Sequence, residues 1–214
     1  MDAKVKQLLE KALMKVDGHE THGPRLVDDA LRLCGRIHAL IRLKILPGEI
    51  DLAPMEIACY ALQLPLRHQK LLPTGKLGRS NLKERAEQAA EMLVAGFADH
   101  IDSALLDRTT QLLHELPQRK PNLDEAKLLA DVVNLDDFGV TGLLLQTIHL
   151  SRAGGGVAQV GDGLEKRESY GYWGARLKEG FHFEPVRQIA RRRLEHTRQA
   201  AALLLDEMKE DRAV

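Results

Sequence analysis

Aromatic residues are scarce: four Phe, three Tyr and one Trp make up 4% of 214 residues. A β-sandwich draws on aromatic and β-branched residues for its strands, so this scarcity argues against one and for helices. Neither sign of charge is in excess, with 31 Lys and Arg against 31 Asp and Glu. That balance excludes a global positive field of the kind that holds nucleic acid or a membrane surface. No apolar run reaches the length of a bilayer span, and the opening MDAKVKQLLEKAL mixes charges as a secretory signal does not. Only two cysteines occur, Cys34 and Cys59, inside apolar helical patterns and without metal-type spacing. That usage reads as reduced thiols in a cytoplasmic protein.

What is present is a chain rich in Leu and Ala, 44% hydrophobic and 29% charged, able to bury a core. Apolar spacing is helical almost everywhere. Val5, Leu8, Leu9, Ala12, Leu13 and Val16 predict a helix over 2–17. After DGHETHG, Pro24 stands early in a second helix whose inward residues are Val27, Ala30, Leu31, Cys34, Ile37 and Ile41. PMEIACYALQL, residues 54–64, is nearly continuously apolar between Pro54 and Pro65 and predicts a buried core helix. Asn81 with Glu84 is a capping-box pair that opens a helix to about Phe97. Helices follow over 102–116 and 123–133, and Asp136 or Asp137 is placed to cap a further one. That next helix carries the apolar run Val140–Leu150, which reads as buried. Three consecutive glycines predict a flexible loop over 151–163, and the last helix spans 185–210. The expectation is an all-α protein, one helical domain over 1–214.

Three places carry chemistry. His19 and His22, three residues apart in a polar loop, suit a metal through neutral imidazole nitrogens, or simply an exposed loop and a helix cap. Asp131 lies among Leu128, Leu129, Val132 and Leu135. Buried there, a carboxylate requires a metal, an Arg or several donors; otherwise it faces water or pairs with Lys127. His114, in LLHEL near a helix end, reads as an interfacial histidine or a site residue.

HETHGPRLVDDAL resembles the opening motif of the HD superfamily, helical metal-dependent phosphohydrolases, with His22 at the histidine and Arg25-Leu26-Val27 behind it. EAKLLADVVNLDDFGVTG resembles the closing segment, matched by Asp131, Leu135, Asp136 and Gly139. His114 stands where soluble members often keep a histidine, and FHFEPVRQIARRRLEHTRQ fits the same bacterial subgroup. The resemblance covers roughly 17–150 and implies a phosphohydrolase fold with a divalent ion (Mn, Fe, Ni, Zn or Mg) where the site is active.

The departures from the family pattern are specific. Gln63 and Leu64 stand where the superfamily has its adjacent His-Asp pair, Val133 replaces a second aspartate, and Asn134 replaces a basic residue. Of four protein ligands two remain, His22 and Asp131, with His19 a substitute for a missing one. Losing an imidazole and a carboxylate weakens a divalent site by orders of magnitude, and hydrolysis needs the metal to activate water. The resemblance therefore implies a binding or regulatory module for a phosphorylated small molecule, a nucleotide among them, or for a protein partner. The alternative is an active phosphohydrolase with a site rebuilt from His19, His22, His114 and Asp131. Gln63, with Arg67, Lys76 and Arg79 of the basic loop, would receive phosphate oxygens; a solvated loop is the other reading. Arg191-Arg192-Arg193 reads as a solvated face, with nucleic-acid contact the minority view. Five of the eight aromatics fall within 170–183 and read as core or as a partner surface, and self-association stays open.

Overall fold

A computed structural model describes residues 1–15, 23–45, 50–68, 81–152 and 154–213. Among them are ten α-helices and no strand, as an all-α chain requires. None of these helices is long and apolar enough to cross a membrane. The described residues form two compact units, one up to Val132 and one from Val133.

The first unit begins with α1, Ala3–Met14, started by Asp2, whose carboxylate accepts from the amides of Lys4 and Val5. Its stripe Val5, Leu9 and Leu13 is buried. α2, Gly23–Arg42, buries Ala30, Cys34 and Ile37 as its spacing predicts. The rest of its inner face is Leu26, Leu33 and Leu40, whereas Val27 and Ile41 are half-buried and Leu31 is exposed. Two apolar stripes lie side by side on this helix, and periodicity alone does not say which one the core takes. Lys44, just past its end, has φ of 53°, the left-handed conformation that commonly closes a helix.

α3, Leu52–Ala61, is the buried helix that its apolar run predicts, and it packs on α1, on α2, on α4 (Leu82–Phe97) and on α5 (Ser103–Glu115). Met55, Ile57 and Leu62 are wholly buried, each contributing about 1.5–3 kcal/mol of transfer free energy. The chain then tightens into a 3-10 turn over Leu64–His68, because Pro65 cannot continue an α-helical ladder. Asn81 accepts from the Glu84 amide at 2.8 Å, as the capping pair predicts, and Asp102 caps α5 in the same way. α6, Asp124–Asn134, starts after a turn held by Glu115.

The second unit contains α7 (Gly139–Arg152), α8 (Val157–Ser169), α9 (Tyr172–Glu179) and α10 (Glu184–Ala213). α10 packs against the other three. Its Val186, Ala190, Leu194 and Thr197 are buried, on the face that the sequence marks. Trp173 and Phe181 pack on Phe138, with ring centroids 5.5 and 5.4 Å away, so this part of the aromatic cluster is core. Tyr170, by contrast, is 82% exposed. Arg191 and Arg192 are exposed, and the Arg193 side chain lies against Gly139.

Three expectations change here. The glycine-rich break is far shorter than 151–163, because α7 runs to Arg152 and α8 starts at Val157. Val160 and Leu164 bury a helical face, and Gly161, 3.0 Å from Met208 Cε at its would-be Cβ, lets α8 approach α10 closely. The run Val140–Leu150 is not a buried helix: Val140, Leu144 and Ile148 are 47, 57 and 40% exposed, on one face. Neither Asp136 nor Asp137 supplies a helix cap; they lie in a 3-10 turn, and α7 opens at Gly139 with φ of 84°. The Gly139 amide donates instead to Thr197 Oγ1 at 2.8 Å.

Candidate functional site

Asp131 is fully buried in α6, which removes the water-facing reading. The Lys127 ammonium, four residues before it, lies 2.7 Å from Asp124. Gln63 belongs to the same unit as Asp131, in the turn that ends α3, and is 3% exposed. Its side-chain amide donates to the Cys59 carbonyl at 3.3 Å, one turn back along its own helix. Leu64 beside it is buried and has no ligating atom. Arg36 of α2 donates to the Val132 carbonyl at 3.3 Å, so α2 and α6 are joined one residue beyond Asp131.

Other expected site residues lie elsewhere. His114 is exposed on α5, so it is not one of the buried polar groups; the helix turns its apolar neighbours Leu112 and Leu113 inward instead. Arg67 is half-buried in the 3-10 turn and donates to the Ala12 carbonyl at 2.6 Å, which closes the end of α1. It works as a strut between elements rather than as part of a solvated loop. His19, His22, Lys76 and Arg79 lie outside the described residues.

A metal of the kind that the resemblance implies needs several anionic or imidazole ligands. Of the described positions, Asp131 brings a carboxylate, Gln63 a neutral carbonyl and Leu64 nothing. That set does not fit a catalytic divalent ion. No group of three or more His, Cys, Asp or Glu side chains is placed to hold a metal among the described residues. Asn134, where the resemblance expects a basic residue, is bonded within the second unit: Oδ1 accepts from Arg176 and Nδ2 donates to the Gly180 carbonyl. A guanidinium from α9 thus stands beside Asn134.

The structure also assembles a cluster that the residue pattern does not announce. Glu56 of α3 accepts from the Met1 ammonium at Oε2, 2.6 Å, and is 2.7 Å from His38 Nε2 at Oε1. Burial pushes the Glu56 carboxyl up, but these two partners outweigh it and hold the group below its ordinary value. Tyr60, one turn on, donates its hydroxyl to Glu10 at 3.1 Å. Burial and that bond to Glu10 push the phenol well above its usual range. Cys34 and Cys59 are free and buried, and burial pushes the Cys59 thiol strongly up, so it is a protonated core thiol. One signal for this cluster is present in the sequence: Glu56 is the sole charged side chain between Leu52 and Leu66. No protein-family model matches the chain, and no curated protein or solved structure matches it either.

Proposed function

We propose that the chain is an HD-type helical module with an incomplete metal site, which binds a phosphorylated small molecule without hydrolysing it and regulates through that binding. The observation that carries this reading is the complete burial of Asp131 in α6, in the same unit as the buried Gln63. A carboxylate in an apolar interior costs several kcal/mol unless cations or donors compensate it, in the range of about 3–5 kcal/mol when one partner is removed. Its retention in a unit where Gln63 and Leu64 stand in place of the superfamily's His-Asp pair suits a site that has kept a polar residue and given up its Lewis acid. Without a metal to lower the pKa of an attacking water, phosphoester cleavage loses its nucleophile.

The test uses the full chain. After exposure to Mn, Fe, Co, Ni, Zn and Mg followed by desalting, elemental analysis should find far less than one ion per chain. Calorimetric titration with AMP and with inorganic phosphate should then give saturable binding by at least one of them, with no phosphate released from AMP. One tightly held ion per chain, lost in Asp131→Asn and accompanied by phosphatase activity, would overturn the reading in favour of a rebuilt hydrolase. Absence of binding by both probes would overturn it in favour of a helical protein that works through protein contacts.

A further inference from the structure

Cys34 and Cys59 are the two cysteines of the chain, and the fold brings them together. Cys34 stands on α2 and Cys59 on α3, helices that pack on one another. The Cys34 thiol donates to the Glu56 carbonyl at 3.9 Å, one turn before Cys59 on α3. The two thiols are themselves hydrogen-bond partners, and both are free. Core packing does not call for such a pair, since alanine or valine fills a helix interface as well.

The two sulfurs differ in access. Cys59 is wholly buried, whereas Cys34 is 8% exposed and lines a cavity of about 420 Å³ together with His38, Glu56 and Tyr60. A small oxidant entering that cavity meets Cys34 first and finds Cys59 behind it. Burial keeps the Cys59 thiol protonated, so by itself it is unreactive. Its position suits a second step, taken once its neighbour has become an electrophile. The chain holds no third thiol to divert that step.

We infer that Cys34 and Cys59 form a peroxide-responsive oxidation site, in which Cys34 is oxidised from the cavity and Cys59 closes an internal disulfide that joins α2 to α3. Hydrogen peroxide delivers one oxygen to Cys34: an S–O bond forms, the O–O bond breaks, and water leaves. The sulfur is thereby oxidised by two electrons to a sulfenic acid, and the peroxide is reduced by two. The Cys59 sulfur then attacks the Cys34 sulfur; the S–S bond forms, the S–O bond breaks, and the hydroxyl departs with the Cys59 proton as a second water. This site is independent of Asp131 and of what binds there.

The test treats the full chain, reduced and freed of reductant, with hydrogen peroxide in native buffer. Remaining thiols are alkylated, and the protein is digested without reductant for mass spectrometry. A peptide pair linked through Cys34 and Cys59 should form, in a yield unchanged by dilution of the protein, and dithiothreitol should restore both thiols. In Cys59→Ala the sulfenic acid on Cys34 should persist, so that dimedone labels it at least about fivefold more than in the wild type. In Cys34→Ala, Cys59 should stay a free thiol, because nothing delivers the oxidant to it. Retention of both thiols by the wild type, links between chains in place of the internal pair, or equally fast oxidation of Cys59 in Cys34→Ala would each overturn the inference. The wild-type experiment decides alone where a variant does not fold. Titrations with AMP and inorganic phosphate are made on the reduced chain, so this inference and the proposed function fail separately.

Discussion

Arg176 Nε and Nη2 both donate to Asp137 Oδ2, at 3.1 and 2.8 Å, and the same Nη2 reaches Asn134 Oδ1 at 2.7 Å. The Tyr172 hydroxyl donates to that carboxylate oxygen as well, at 3.1 Å. One guanidinium from α9 therefore joins the end of α6 to the turn before α7. Arg176→Ala should destabilise the protein by about 1.5–3 kcal/mol in urea titration, because charge-assisted bonds to a half-buried carboxylate are lost. Arg176→Lys should recover less than half of that, since an ammonium cannot reproduce the planar fork. Full recovery by lysine would show that charge alone, and not geometry, does the work.

Glu115 is buried at the end of α5, and its Oε2 accepts from the backbone amides of Asn122 and Leu123 at 2.6 and 2.8 Å. The turn that launches α6 thus depends on a carboxylate from another helix. Glu115→Ala leaves two amides without that acceptor and should cost about 2–4 kcal/mol, while Glu115→Gln should cost less because it keeps one neutral acceptor. Equal stability of all three proteins in chemical denaturation would refute this role.

Stability should fall with acid at Glu56. Its carboxyl is held below the ordinary value near 4.5, so folding favours the ionised form. That contribution is fully present above the unfolded value and disappears as pH falls through the lower native one. Between about pH 5 and pH 3 the wild-type midpoint should therefore drop more steeply than that of Glu56→Gln. Parallel pH profiles for the two proteins would contradict the pairing with Met1 and His38.

Lys44 adopts φ of 53°, and its amide donates to the Ile41 carbonyl at 2.8 Å. A side chain is strained in that region, whereas glycine is not. Lys44→Gly should raise stability by about 0.5–1 kcal/mol, offset in part by the larger entropy of an unfolded glycine. A loss of stability on thermal melting would show that the lysine side chain contributes contacts worth more than the strain.

The buried α3 and the α10 face from Val186 to Thr197 were both legible in the sequence, because an apolar run or stripe is a property of residues within a few turns of one another. Caps at Asn81 were legible for the same reason: donor and acceptor are three residues apart. The inner face of α2 was half legible, since Ala30, Cys34 and Ile37 sit where two apolar stripes meet, and only packing against α1 and α3 selects Leu33 over Leu31. The break near Gly154 was marked by its glycines, but its length depended on Val160 and Leu164 finding α8 a packed face.

Asp131 could be singled out from its apolar neighbours alone, and the structure buries it completely. Its neighbours decide how costly a carboxylate is there, and they are contiguous in the chain. What the sequence by itself determined is thus the helical class, most helix starts and the presence of an out-of-place carboxylate, all consequences of local spacing and local chemistry. Only the tertiary structure decided that His114 faces out, that Arg67 closes α1, and that Glu56 meets His38 and Met1. It also decided that Asp137 is held by Arg176, 39 positions away, instead of capping α7. Charged and polar side chains satisfy themselves with whatever the fold brings within about 3 Å, and that distance in space has no counterpart in sequence separation.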